Sequence, residues 1–212
     1  MDIAEAATRK DMEMRRIVVG ITGATGAIFG VRLLQALRAA EVETHLVLSK
    51  WGMQTVEHET GITAPELNAL ASVVHGSGNM AATISSGSFH TEGMVVAPCT
   101  MKTLGAIAQG YGDNLVQRAA DVVLKERRKL VLVARETPLS EIHLENMLKL
   151  SRMGVTILPP MPAFYNKPQS IDDIVDHIVA RVLDQFGIDA DFAKRWDGQM
   201  DRGNAVHRLN KI

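Results

Sequence analysis

The chain has a single cysteine and few aromatic residues, and its net charge is close to zero. Cys99 alone excludes an intrachain disulfide and a metal site built from several cysteines, and it fits a reducing cytoplasm. No apolar run approaches the roughly 20 residues of a membrane span. A formal net charge of -1 gives no electrostatic reason for a nucleic-acid or membrane partner. We therefore expect a cytoplasmic protein with neither of these partners.

The length of 212 residues suffices for one sizeable core. Residues 1–14 have no apolar signal-peptide core and are predicted to be a disordered polar leader. Residues 15–198 are expected to form a single domain, followed by a polar C-terminal tail at 199–212. Glycine (17) and methionine (11) are plentiful, which favours an α/β protein with ligand-binding loops.

Six strand-like apolar runs alternate with helical segments, which predicts a doubly wound parallel sheet in a three-layer α/β/α arrangement. The first run, residues 15–21, is followed by a turn with Gly23 and Gly26 and then by an amphipathic helix. This order aims backbone N–H groups at a phosphate or another polar ligand group. The glycine spacing matches neither the dinucleotide fingerprint nor the P-loop, so it indicates a mononucleotide-type fold without naming a ligand.

Polar residues follow several strands at the edge where parallel sheets bind ligands. The second strand ends on Ser49, so Thr25 and Ser49 are predicted to contact one ligand. The next helix, residues 50–60, is predicted to be a covering element without chemistry. Thr100 is predicted to cap a helix, and with Lys102 it would form a second corner that receives anions. Cys99 is expected to be a packing residue rather than a nucleophile.

Residues 118–136 indicate the end of a helix, a basic turn and a strand that ends on a charged pair. Arg118 and Lys125 are two helical turns apart and share one face. Arg135 and Glu136 follow the strand, at the ligand-binding edge. Three cations and one carboxylate brought together at a strand end predict a site for a phosphorylated small molecule. The alternative is a solvated basic helix end.

Three further segments carry candidate residues. Residues 85–88, Ser-Ser-Gly-Ser, form either a close-approach loop or an ordinary serine-rich turn. Residues 159–168 form a proline-stiffened loop that holds Tyr165 at the sheet edge. Arg181 lies on a capped amphipathic helix, and Trp196 follows it.

Together these segments resemble the UbiX-type flavin prenyltransferases, in the branch historically named for phenolic acid decarboxylase. The resemblance covers roughly residues 15–198, with its motifs in the right order and spacing. The motifs are GITGATGA (20–27), THLVLSKW (44–51), ISSGSF (84–89), APCTMKTL (97–104), RAADVVLKERRKLVLVARETPLSEIHLENM (118–147), PPMPAFY (159–165) and RVLDQFGI (181–188).

The resemblance implies a Rossmann-like, flavodoxin-type fold and a homo-oligomer, typically a homododecamer, with FMN bound between subunits. It implies a transferase that needs no metal. This enzyme joins a dimethylallyl group from dimethylallyl phosphate to N5 and C6 of reduced FMN. The prenylated FMN then serves a UbiD-type decarboxylase that acts on aromatic or unsaturated acids, and the branch name reflects that partnership.

The resemblance also implies a role for each candidate residue. Glu136, Lys125 and Thr25 are expected to act in catalysis. Ser86 and Ser88 are expected to close the site near the flavin. Trp196 is expected to cover the prenyl pocket from a neighbouring subunit. The prenyl phosphate is expected to contact Arg118, Lys125, Glu136, Tyr165 and Arg181. The FMN site is expected to be lined by Gly23, Ala24, Thr25, Ser49, Thr100, Met101, Lys102, Thr103 and Arg135.

Two departures from the family pattern concern hydroxyl residues. Many members carry serine where this chain has Thr25 and Thr100. The hydroxyl is kept and the extra methyl narrows the pocket, so function is expected to hold, with an effect on rate and on donor preference.

Two other functions fit part of the pattern. One is a homologous FMN-dependent cysteine decarboxylase, against which the cations Arg118, Lys125 and Arg181 argue. The other is a non-catalytic FMN carrier that delivers flavin to a decarboxylase, against which Glu136 argues. Prenyl transfer accounts for both features.

Overall fold

The computed structural model describes residues 15–196 and 198, so the predicted leader and tail lie outside the described residues. The strands are β1 (Arg16–Ile21), β2 (Glu43–Leu48), β3 (Val73–His75), β4 (Gly93–Cys99), β5 (Lys129–Ala134) and β6 (Thr156–Ile157). The helices are α1 (Ala27–Ala39), α2 (Lys50–Thr60), α3 (Ala64–Asn68), α4 (Met101–Ala108), α5 (Leu115–Lys125), α6 (Glu141–Arg152) and α7 (Ile171–Asp184). Short 3₁₀ turns lie at Thr83–Ser85 and Phe164–Asn166.

The six strands form one parallel sheet in the order β3-β2-β1-β4-β5-β6. Without the short edge strand β3, this is the strand order of flavodoxin. The predicted doubly wound, flavodoxin-type sheet is therefore confirmed. The order reverses between β1 and β4, and ligands of open α/β sheets bind above the carboxyl ends of such a strand pair.

Strand side chains alternate between two buried layers. Ile17, Val19 and Ile21 of β1 pack in the cluster that includes residues of α1, α2 and α7, whereas Val18 packs in the cluster with α4, α5 and α6. Each fully buried isoleucine stabilises the fold by about 1.5–3 kcal/mol. Helices thus cover both faces of the sheet and leave its carboxyl edge as the place for polar side chains.

Cys99 lies at the end of β4 and is fully buried. Burial raises the pKa of its thiol to about 12, so the thiol stays protonated near neutral pH. The prediction that Cys99 packs rather than reacts is confirmed. Within residues 15–196, no helix has the length and apolar character to cross a membrane. The described residues include no group of three or more metal-ligating side chains.

Candidate active site at the carboxyl edge of the sheet

Thr22 joins the carboxyl ends of β1 and β4. It is only 2% exposed. Its backbone N and its Oγ1 both donate to the Pro98 carbonyl, at 3.2 and 2.8 Å, and Oγ1 accepts from the Thr100 backbone N at 2.9 Å. These hydrogen bonds fix the turn after β1 against the start of α4. Our sequence interpretation missed Thr22, and the available signal was a hydroxyl at the end of a buried strand.

The turn that precedes α1 is held by Glu59, a residue of α2. Gly26 has φ 93°, a left-handed conformation that favours glycine. The Oε2 atom of Glu59 accepts from the backbone N of Gly26 and of Ala27, at 2.9 Å each. Burial alone would raise the pKa of Glu59, but hydrogen bonds from the Thr25 side chain and from these two N–H groups lower it below its ordinary value.

Glu59 therefore occupies the positive end of α1 as an anion at neutral pH. The sequence pattern predicted free N–H groups there for a phosphate, and this is wrong for Gly26 and Ala27, whose N–H groups are used by the protein itself. The helix that carries Glu59 was predicted to have no chemistry. The contact spans 33 residues of sequence, so local patterns gave no sign of it.

Replacing Glu59 by alanine is expected to lower the free energy of unfolding by about 1 kcal/mol, because α1 loses its N-terminal acceptor. We also expect weaker FMN binding, because Thr25 loses its partner. Folding lowers the pKa of Glu59, so this stabilisation is present above the ordinary pKa of 4.5 and is lost as the pH falls through the folded value. Thermal unfolding between pH 7 and pH 3 measures it.

The matched control is Glu57→Ala, because Glu57 is exposed on the same helix. A Glu59→Ala protein with the stability, pH profile and FMN affinity of the control would contradict the assignment.

Ser49 lies beside the turn after β1, as predicted. Its backbone N donates to the Ile21 carbonyl at 3.0 Å, and its Oγ caps α2 by accepting from the Gly52 N at 2.9 Å. A Cβ added to Gly23 would lie 2.5 Å from the Cβ of Trp51, so only glycine fits this close approach. Trp51 itself is 69% exposed at the edge. Whether Thr25 and Ser49 share one ligand remains a prediction.

Thr100 caps α4, which confirms the prediction. Its Oγ1 accepts from the Thr103 backbone N at 3.2 Å and donates to the Thr103 hydroxyl at 3.1 Å. Met101 is half-buried in the first turn, and the exposed Lys102 makes no side-chain hydrogen bond or ion pair within the described part of the chain. Because Glu59 fills the end of α1, the start of α4 is the better anion-receptive corner.

Arg135 and Glu136 follow β5 at this same edge. The backbone N of Arg135 donates to the Cys99 carbonyl at 3.2 Å, next to Thr100. Glu136 is exposed, and its Oε1 accepts from the Thr137 backbone N at 3.0 Å. The carboxyl edge thus presents hydroxyls, two cations and one carboxylate beside the switch point. This donor set fits a phosphorylated flavin, whose phosphate needs N–H, O–H and cationic donors.

Arg118 and Lys125 share one face of α5, as predicted, and both lie beside residues 85–89. The Nε of Arg118 donates to the Ser85 carbonyl at 3.2 Å, and its Nη1 pairs with Asp121 at 2.6 Å. Lys125 pairs with Glu126, and a Cβ on Gly87 would lie 2.7 Å from the Lys125 Nζ. Ser86 and Ser88 are exposed on this segment, with their hydroxyls 2.8 Å apart.

Lys125 and Glu136 lie at opposite edges of the sheet. β5 begins at Lys129, paired with Gly93 at the start of β4, and ends beside Arg135. Its length is about 17 Å at 3.3–3.4 Å per residue. Lys125 precedes the strand and Glu136 follows it. The prediction that one strand end gathers all four charges is therefore wrong for a single chain, because α5 carries Lys125 to the amino edge.

Tyr165, Trp196 and Arg181 lie in or beside α7. The Tyr165 ring stands edge-on to Trp196, with centroids 5.7 Å apart, and to His177, at 6.0 Å. Arg181 pairs with Asp184 at 2.6 Å.

The end of α7 lies at the amino edge of the sheet. The side chain of Lys129, at the start of β5, donates to the Gln185 carbonyl just after the helix, and Arg15 donates to the Phe186 carbonyl at 2.6 Å. Arg181, one turn earlier, is therefore also distant from Glu136 within one chain.

Comparisons with known proteins decide the family. The flavoprotein family model matches residues 5–183. A probable UbiX-like flavin prenyltransferase from Streptomyces sp. (strain D7) is 66% identical over 184 residues, which are 86% of this chain and 92% of that relative. The chain belongs to the UbiX-like flavin prenyltransferases. This confirms the predicted resemblance and the predicted class of enzyme.

Two solved structures of UbiX-like proteins have the same fold. A dodecameric FMN-dependent UbiX-like decarboxylase from Escherichia coli O157:H7 has a TM-score of 0.85 and 65% identity, covering 86% of this chain and all of that one. AnUbiX (PadA1), in complex with FMN and dimethylallyl pyrophosphate, has a TM-score of 0.87 and 56% identity, covering 89% of this chain and all of that one. The roles of individual site residues stay predictions.

Proposed function

We propose that the chain transfers a dimethylallyl group from dimethylallyl phosphate to N5 and C6 of reduced FMN and releases inorganic phosphate. The observation that carries this proposal is the similarity to AnUbiX, which binds FMN together with a dimethylallyl donor. The flavin prenyltransferases among the relatives, at 53–66% identity, support the same reaction. The proposal accounts for both the hydroxyl-rich carboxyl edge and the cations distributed over α5 and α7.

The carboxyl edge would hold FMN. Reduced FMN supplies the two nucleophilic atoms that accept the five-carbon group. Three features of this edge support FMN binding: the glycine turn after β1, the start of α4, and the cation that follows β5. The residues that would hold FMN are Gly23, Ala24, Thr25, Ser49, Thr100, Met101, Lys102, Thr103 and Arg135.

The cations of α5 and α7 would hold the prenyl phosphate. Breaking the allylic C–O bond leaves the electron pair, and thus a full negative charge, on the departing phosphate. Arg118, Lys125 and Arg181 would stabilise this charge as it develops. Tyr165 would contribute its hydroxyl to the same phosphate. Trp196, which packs against the Tyr165 ring, would cover the prenyl chain.

The complete site would form between copies of the chain. Lys125 and Arg181 lie toward the amino edge and Glu136 at the carboxyl edge, so one copy alone separates them by about the length of β5. An assembly that places the amino edge of one copy against the carboxyl edge of another removes this separation. The E. coli O157:H7 relative is dodecameric, and a homododecamer with FMN between subunits is the assembly we propose here.

Glu136 and Thr25 would handle protons. Forming the two bonds to the flavin releases a proton from N5 and one from C6, and closing the second bond adds a proton to the dimethylallyl double bond. Glu136 would transfer protons at these flavin atoms or at the phosphate, a task that a carboxylate performs well. The Thr25 hydroxyl, oriented by its hydrogen bond to Glu59, would assist beside the flavin.

Phosphate release tests the reaction directly. Under anaerobic conditions, the protein should release inorganic phosphate from dimethylallyl phosphate only when reduced FMN is present, with one phosphate per flavin consumed. Oxidised FMN serves as the control. A protein that binds FMN but releases no phosphate would instead be a carrier.

The product has a defined fate in this proposal. Prenylated FMN would pass to a UbiD-type decarboxylase that acts on aromatic or unsaturated acids. We place this exchange in the cytoplasm, which the single, buried cysteine supports.

A further inference from the structure

Arg128 lies in the turn between α5 and β5 and binds two carbonyls of the serine-rich segment. Its Nη1 donates to the Phe89 carbonyl and its Nη2 to the Gly87 carbonyl, at 2.7 Å each. These carbonyls belong to the residues immediately before and after Ser88. A planar guanidinium offers two donors in a fixed fork, so one side chain orients both residues that flank Ser88.

The remaining contacts anchor the two ends of this segment, residues 85–89. Arg118 donates to the Ser85 carbonyl at 3.2 Å. The Phe89 ring stands edge-on to His45, with centroids 5.0 Å apart, and lies under the guanidinium of Arg16 at 5.5 Å. Between these anchors, Arg128 fixes the position of Gly87 and Ser88.

The same contacts set where the segment lies relative to Lys125. A Cβ on Gly87 would lie 2.7 Å from the Lys125 Nζ, so the backbone at Gly87 packs directly on the Lys125–Glu126 ion pair. The hydroxyls of Ser86 and Ser88 are bonded to each other at 2.8 Å and are exposed. Arg128 thus holds two serine hydroxyls and one ammonium group in a fixed arrangement.

We propose that Arg128 is a positioning residue for prenyl transfer, which acts by holding Ser86 and Ser88 where they close the flavin site and by keeping Gly87 against Lys125. This inference rests on the proposed function. Because two carbonyls already use the guanidinium, Arg128 does not serve as a phosphate ligand. Its exposed neighbour Arg127 makes no side-chain hydrogen bond or ion pair with the described residues and has no such role.

The first experiment compares Arg128→Lys with Arg127→Lys in the assembled protein. Lysine keeps the charge, but its single ammonium does not reproduce the fork that bridges two carbonyls. We expect the FMN dissociation constant of Arg128→Lys to rise about tenfold, the effect of losing one charge-assisted hydrogen bond, and that of Arg127→Lys to stay unchanged. Titration of flavin fluorescence measures both. Equal affinities in the two variants would overturn the proposal.

A double-mutant cycle separates positioning from a general loss of stability. If Arg128 acts through Ser88, Ser88→Ala alone should weaken FMN binding, and adding Arg128→Lys should weaken it little further. A merely structural arginine would lower FMN affinity independently of Ser88, so the two effects would multiply. That outcome would refute the positioning role.

Gly87→Ala gives a second variant if Arg128→Lys does not fold. Alanine leaves Arg128 in place but pushes the Lys125–Glu126 pair away from the segment. We expect a higher KM for dimethylallyl phosphate with kcat little changed, and an unchanged KM would overturn the proposed contact with Lys125. The FMN titrations need no prenyl donor, so their result stands even if the wild-type protein transferred no prenyl group.

Discussion

Glu136→Gln is expected to lower kcat for prenyl transfer by about 10²- to 10³-fold, the range for losing a general acid or base. Glutamine keeps the size of the side chain and its acceptor oxygen, so the hydrogen bond from the Thr137 backbone N should persist. FMN binding should therefore stay near the wild-type affinity. The rate of anaerobic phosphate release gives kcat, and flavin fluorescence gives the FMN affinity.

Glu141→Gln is the matched control for this prediction, because Glu141 is an exposed carboxylate in the first turn of α6. It should turn over at the wild-type rate. If Glu136→Gln did the same, its assignment to proton transfer would be wrong. A loss of FMN binding would move Glu136 from the chemistry to the flavin site.

Mixing two inactive variants is expected to restore activity. Lys125→Ala should lower turnover at a subsaturating donor concentration by about 10²-fold, because the departing phosphate loses one cation. FMN should remain bound, because Lys125 lies at the other edge of the chain from the FMN residues. If each site combines Lys125 of one copy with Glu136 of another, random co-assembly with Glu136→Gln makes about one site in four intact. Co-production with two affinity tags isolates the mixed oligomer.

A second mixture supplies the control. The double variant with both substitutions, co-assembled with wild-type chains, should also give about a quarter of the wild-type activity if the two residues come from different copies. It should give about half if they come from the same copy. A Lys125→Ala and Glu136→Gln mixture that stays inactive, together with half activity in the control, would contradict the composite site.

The sequence predicted features that depend on local pattern. Alternation of apolar strands with amphipathic helices predicted the parallel sheet, because that pattern has few packing solutions. The hydroxyl of Thr100, placed before an apolar helix, predicted the cap observed on α4. The spacing of Arg118 and Lys125 predicted their common face on α5. In each case the physical cause lies within about ten residues of the chain.

The features that sequence reasoning missed depend on contacts between distant segments. Glu59 reaches the turn before α1 from another helix, and Arg128 binds carbonyls 39 and 41 residues earlier in the chain. The opposite placement of Lys125 and Glu136 follows from the direction of α5 relative to β5. A pattern of residue types contains no information on either, because tertiary packing decides which donors remain free.

The mass of the flavin after turnover tests the central claim most directly. The protein is incubated anaerobically with reduced FMN and dimethylallyl phosphate, and the flavin is then extracted for mass spectrometry. We predict a flavin heavier than FMN by one five-carbon unit, formed only when protein, reductant and donor are all present. Unmodified FMN after complete incubation, with wild-type protein that binds FMN normally, would contradict the account.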